Sequence, residues 1–100
     1  MSRIAITVTF TVKPGHFDAF NAHIRDHAAK TLAEEPGCER FDVLQPLNAD
    51  GTPDHSRIML VEVYRDMEAV NAHRANPRMP VVAEGSKPHL DGRELTLCAL

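Results

Sequence analysis

The chain lacks an excess of charge of either sign: eleven Lys and Arg face fourteen Asp and Glu, for a formal net charge of -3. No basic surplus exists to follow a phosphate backbone, so nucleic acid is not an expected partner. Long hydrophobic runs are missing too, the longest covering only a few residues, which excludes a membrane-spanning helix. The opening Met1-Ser2-Arg3-Ile4 has no apolar secretory segment, and the expectation is a cytoplasmic protein. There are only two cysteines, sixty positions apart and without a CxxC. They suggest reduced thiols rather than a disulfide framework. Also absent are G-x-G-x-x-G, a phosphate-loop signature, H-E-x-x-H and G-x-S-x-G. Dinucleotide, nucleotide and conventional hydrolase chemistry lose their main support. One hundred residues, 43% hydrophobic and 25% charged, make one ordinary globular domain over 1–100 whose own core is limited.

Patterning supplies the fold. Ile4, Ile6, Val8, Phe10 and Val12 alternate with Arg3, Ala5, Thr7, Thr9 and Thr11, a period of two that predicts a strand ended by Pro14-Gly15. From His16 to about Glu35 the apolar period lengthens through Phe17, Phe20, Ile24, Ala28 and Leu32, predicting an amphipathic helix stopped by Pro36-Gly37. A second strand is expected from Cys38 to Leu47, then a turn-rich loop over 48–54 and a third strand over Ile58–Tyr64. Asp66 suits the N-cap of a short helix to about Ala75, and a further helical piece follows around Met79–Ser86. Arg93–Leu100 alternates again as a last strand. The order β-α-β-β-α-β predicts an α+β, ferredoxin-like split βαβ sandwich: a four-stranded antiparallel sheet with its helices on one face. The other face carries Met59, Val61 and Val63, which do not suit water, so a homodimer packed sheet to sheet is expected.

Six histidines are the outstanding polar feature. His23 and His27, four apart on the first helix, have a spacing that suits two metal ligands, but only Asp26 is local and no metal is expected. His16, His55 and His89 read as surface residues, and His73 flanks the apolar stripe of the second helix. Glu62 is a carboxylate in an otherwise apolar strand, on the face of Ile58, Leu60 and Tyr64. Isolated burial of its charge costs several kcal/mol (of order 5), so it must be paired, protonated or placed at a cavity wall. Glu62 and Tyr64 are therefore functional candidates, weighed against a structural ion pair of Glu62 with Arg or Lys. Cys38 and Cys98 have no His partner in sequence and read as small hydrophobes. Arg65, Arg74, Arg78 and Lys87 read as solvated charges that could otherwise clamp an anion.

Three blocks carry a resemblance: Val12-Lys13-Pro14-Gly15, Glu35-Pro36-Gly37-Cys38-Glu39-Arg40-Phe41-Asp42-Val43-Leu44-Gln45, and Glu62-Val63-Tyr64-Arg65-Asp66 through Ala72-His73-Arg74. With these, from about Ile4 to Leu97, the chain resembles the antibiotic biosynthesis monooxygenase (ABM) domain family. Within it the chain looks most similar to quinol monooxygenases and to the enzyme processing phosphorylated autoinducer-2. The resemblance implies a dimeric α/β barrel with a pocket between sheet and helices, and a monooxygenase using O2 on aromatic polyketides or quinols without flavin, metal or other cofactor. It also places Phe41, Glu62, Tyr64 and His73 at the pocket, with His27 where relatives carry a polar residue. The chain departs from relatives at Pro77-Arg78-Met79, at Tyr64 where many carry Trp, and at Thr7, Thr9 and Thr11, which disfavours a haem-degrading role.

Such an oxygenase must activate its substrate, because triplet O2 reacts slowly with closed-shell molecules. His73 or Glu62 would be the base that forms an electron-rich anion, Tyr64 a donor to the substrate oxygen, and Phe41 and His27 binding residues. The same proton abstraction beside a carbonyl opens an isomerase reaction on a sugar-like phosphorylated ketone. A non-catalytic dimer that binds a small molecule would need the pocket alone.

Overall fold

The computed structural model describes residues 2–100. Along the chain it has β1 (Ile4–Val12), α1 (Phe17–Glu34), β2 (Cys38–Leu44), β3 (Arg57–Tyr64), α2 (Met67–Ala75), α3 (Arg78–Ser86), a 3₁₀ turn (Lys87–His89) and β4 (Leu90–Ala99). The strands form one antiparallel sheet in the order β2-β3-β1-β4, the ferredoxin-like arrangement expected from the element order. Among the described residues, no helix is long and apolar enough to cross a membrane.

Register decides which side chains face the helices. Ile6 lies opposite Glu62, Val8 opposite Leu60 and Phe10 opposite Ile58, while Phe41 lies opposite Glu62. Those residues share one face with the buried Phe20, Ile24, Ala28 and Val70 of the helices. Phe10 and Phe20 meet edge to face with centroids 4.9 Å apart, a favourable aromatic geometry. The alternate residues Thr7, Met59, Val61 and Val63 point to the other face; Met59 and Val61 are half-buried there, but Val63, expected to be uncovered, is already buried within the chain. β4 is an edge strand that the helices cover incompletely, which leaves the inward-facing Leu95 and Leu97 exposed.

Two boundaries and one helix face differ from the sequence pattern. β2 ends at Leu44 rather than Leu47, because Pro46 has no N–H to extend the ladder; Leu47 keeps only an isolated bridge to Pro53. β4 begins at Leu90, three residues before its alternation becomes readable, past a register shift between Thr11 and Val12. On α1 the buried stripe runs Phe20, Ile24, His27, Ala28 and Thr31. Leu32, expected in the core, is 46% exposed while Thr31 is 0% exposed. At about 100° per residue, Thr31 returns to within ~20° of Phe20 whereas Leu32 lies ~120° away. Thr31 tolerates burial because its hydroxyl donates to the His27 carbonyl at 2.9 Å.

A buried acid–base cluster in the candidate active site

A cavity of about 550 Å³ lies between the sheet and the three helices. Ile6, Val8, Leu60, Ile24, Met79 and Val82 give it apolar walls, His27, Glu62 and His73 a buried polar group, and Arg74 and Lys87, expected to be solvated charges, line it together with Asp91 and Arg93. All three polar residues are buried, at 4%, 5% and 5% exposure. Each arrives from a different element. β3 alternation turns Glu62 inward; α2, started by the Asp66 carboxylate accepting from the Ala69 N–H at 2.9 Å, brings in His73; and the α1 stripe brings in His27.

Among the described residues Glu62 forms no ion pair with Arg or Lys, although the more distant charge of Arg93 favours its ionised form. Tyr64 Oη donates to Glu62 Oε1 at 2.7 Å, and His73 Nε2 stands 3.9 Å from the same oxygen, beyond hydrogen-bond reach. Burial above all raises the Glu62 pKa, against the opposing pull of the Tyr64 hydrogen bond and of His73. Burial and the neighbouring Glu62 push the Tyr64 hydroxyl upward as well, so Tyr64 stays a donor. His27 is driven down to about 4, first by burial and then by the charges of His73 and Arg78. It is a neutral imidazole at pH 7, and its Nδ1 has no hydrogen-bond partner. The rings of His27 and His73 lie 5.6 Å apart, and those of Tyr64 and His73 5.2 Å apart.

The structure thus gathers four of the five residues singled out in the sequence, but not in equal positions. Glu62, His73 and His27 line the cavity; Tyr64 is fully buried behind Glu62, so it reaches a substrate only through that carboxyl. Phe41 stands edge-on to His27 with centroids 5.5 Å apart and does not line the cavity. It belongs to a shallow depression with Arg25 and Leu32 on the outer side of α1. What it does touch is the His27 ring. His23, the other half of the i,i+4 pair, turns away to Ser86 Oγ at 3.1 Å and the Val82 carbonyl at 3.0 Å, packing on Gly85, where a Cβ would meet its ring at 2.6 Å. His16 and His89, expected on the surface, are half-buried with Nδ1 atoms 3.0 Å apart, and the exposed His55 stacks on Phe17. Burial lifts the Cys38 thiol to about 11, which agrees with a packing role.

Two residues escaped the sequence reading. Glu35 Oε1 meets His73 Nδ1 at 2.8 Å, and Arg78 reaches Glu35 Oε2 at 2.6 Å, Thr31 Oγ1 at 3.0 Å and Glu34 Oε1 at 3.1 Å. Arg78, expected to be solvated, has a side chain only 14% exposed. A signal for Glu35 did exist: two carboxylates at a helix C-terminus oppose the helix dipole and call for a cation.

The profile of the family described as antibiotic biosynthesis monooxygenase matches residues 3–84. Among solved structures, a candidate antibiotic biosynthesis monooxygenase from Caulobacter crescentus superposes with a TM-score of 0.89 at 21% identity, covering 99% of this chain and 90% of the other. One from Nitrosomonas europaea gives 0.84 at 24%, covering 98% and 89%. A protein from Pseudomonas aeruginosa gives 0.86 at 21%, covering 100% and 95%. Below 25% identity these likenesses carry the fold alone. No curated protein matches the sequence.

Proposed function

Since the chain belongs to the antibiotic biosynthesis monooxygenase family, we propose that it is a cofactor-independent monooxygenase acting on a quinol or another hydroxylated aromatic. The observation that supports this most is the concentration of acid–base groups, His73, Glu62 and His27, beside the apolar wall of a cavity that Arg74, Lys87, Asp91 and Arg93 also line. The apolar wall suits a ring. A buried carboxyl and imidazole can take a phenolic proton, and water exclusion makes the resulting anion a stronger electron donor to O2.

The reaction needs no external reductant. Loss of the phenolic proton gives an anion that passes one electron to O2; the radical pair joins at a ring carbon as a hydroperoxide. Loss of water from that adduct leaves a carbonyl, so one oxygen atom enters the product and the other leaves as water. The substrate supplies all four electrons, as when a hydroquinone becomes a hydroxyquinone. His73 with Glu62 receives the first proton and can return one to the departing hydroxide; His27, a neutral imidazole on the cavity wall, contacts the substrate. Tyr64 acts through Glu62, and Phe41 through His27.

We further propose that the sheet face away from the helices, with the half-buried Met59 and Val61, pairs with a second copy over ~800 Å² per partner. The free thiols Cys38 and Cys98 fit a reducing cytoplasm. The test is O2 uptake by the purified protein across quinols and hydroxyanthrones, with flavin and metal omitted. Uptake above autoxidation is expected with at least one compound; none above background across the panel overturns the reading. Conversion of a phosphorylated ketone without O2 consumption would instead favour an isomerase.

A further inference from the structure

We propose that Glu35, held by Arg78, is a positioning residue that fixes His73 as its Nδ1–H tautomer and so presents an unprotonated Nε2 to Glu62 and the cavity. The inference rests on the acid–base reading of this site, but its primary test needs no substrate.

The geometry is directional. An ionised carboxylate only accepts and a guanidinium only donates. Glu35 uses Oε2 for Arg78 at 2.6 Å and Oε1 for His73 Nδ1 at 2.8 Å, so the proton on that imidazole edge must sit on Nδ1. A neutral ring then has its lone pair on Nε2, the nitrogen 3.9 Å from Glu62 Oε1. That gap is too long for a direct hydrogen bond and leaves room for a substrate oxygen to approach both groups. The other groups facing His73 are compatible with this assignment: Tyr64 Oη donates to Glu62, and the His27 ring on α1 lies 5.6 Å from that of His73 without a hydrogen bond. Arg78 cannot turn elsewhere without loss, since Thr31 and Glu34 hold the same guanidinium. The pair also explains why acidic residues stand at the C-terminal end of α1, where the helix dipole disfavours them.

The isosteric substitution Glu35→Gln separates positioning from packing. Arg78 has no acceptor, so it claims the amide oxygen, and the amide NH₂ is left facing His73 Nδ1. Nδ1 must then accept, and the ring switches to the Nε2–H tautomer. In Glu35→Gln with Arg78→Met, nothing competes for the amide oxygen. It can turn to His73 and restore Nδ1–H.

Tautomers are read by long-range ¹H–¹⁵N correlation spectra of labelled protein at pH 7.5, with His73 assigned by its loss in His73→Gln. The expected pattern is Nδ1 protonated in wild type, Nε2 protonated in Glu35→Gln, and Nδ1 protonated again in the double variant. With a turned-over quinol, kcat should fall on the order of 10²-fold in Glu35→Gln with KM little changed, and recover in part in the double variant. A wild-type ring bearing its proton on Nε2, or on both nitrogens, overturns the inference whatever the variants do. An unaltered tautomer in Glu35→Gln overturns it equally. If the tautomers behave as stated while no substrate is ever oxidised, the oxygenase reading falls and the positioning role stands.

Discussion

Glu62 is the residue on which function and stability pull in opposite directions. It is buried, forms no ion pair with Arg or Lys among the described residues and keeps a raised pKa. A carboxyl whose folded pKa lies above its unfolded value contributes stability fully present below the unfolded pKa and lost as pH rises through the folded one. Glu62→Gln keeps the shape and can still accept from Tyr64, so it should raise the urea midpoint at pH 7.5, with the gain vanishing near pH 4. The same variant should lower kcat on the order of 10²-fold. His27 works with the opposite sign. Its folded pKa, about 4, is depressed from 6.5, so the unfolded chain binds more protons between those values. Its contribution is therefore lost as pH falls from about 6.5 toward 4. Urea midpoints should fall over that window, and His27→Gln should flatten the fall. A midpoint equally steep in pH in both proteins would contradict the assignment.

At the scale of elements, α2 matters because it carries His73 and begins at the Asp66 cap. Asp66→Ala removes the acceptor for the Ala69 N–H and should cost about 1 kcal/mol in chemical denaturation. The close approach of the turn before β2 to α2 sets a harder limit. A Cβ at Gly37 would lie 2.5 Å from Ala69 Cβ, so Gly37→Ala should destabilise by ~1–3 kcal/mol and loosen the frame that places His73 beside Glu35. These features were partly readable beforehand. The Asp66 cap, the Pro36-Gly37 stop and the alternation that turns Glu62 inward are local, and the chain states each within a few residues. The contacts that make the site are not local. Glu35 and His73 are 38 positions apart, and Arg78 lies 43 from Glu35. No periodicity encodes such a meeting, and Arg78 in isolation looks like any surface arginine. Likewise Tyr64 shares the strand face of Glu62, but only packing shows that it stands behind the carboxyl instead of beside the substrate.

At the scale of the whole molecule, one layer of helices covers one sheet face and leaves two apolar regions uncovered. One is the outer face with the half-buried Met59 and Val61; the other is the edge strand β4, where Leu95 and Leu97 remain exposed. The dimer reading assigns the first to a second copy. Sedimentation at micromolar concentration should give a dimer, and a charge placed at the face by Val61→Glu should shift it toward monomer.

The central claim is that substrate activation by buried acid–base groups is sufficient for oxygen transfer. ¹⁸O₂ labelling of the product tests it most directly, using a quinol that passes the uptake assay with flavin and metal omitted, and comparing wild type with His73→Gln and Glu62→Gln. The account predicts one ¹⁸O atom in the wild-type product, the other in water, and a rate lower on the order of 10²-fold in each variant. Product free of ¹⁸O, or labelled product formed equally fast by both variants, would contradict it.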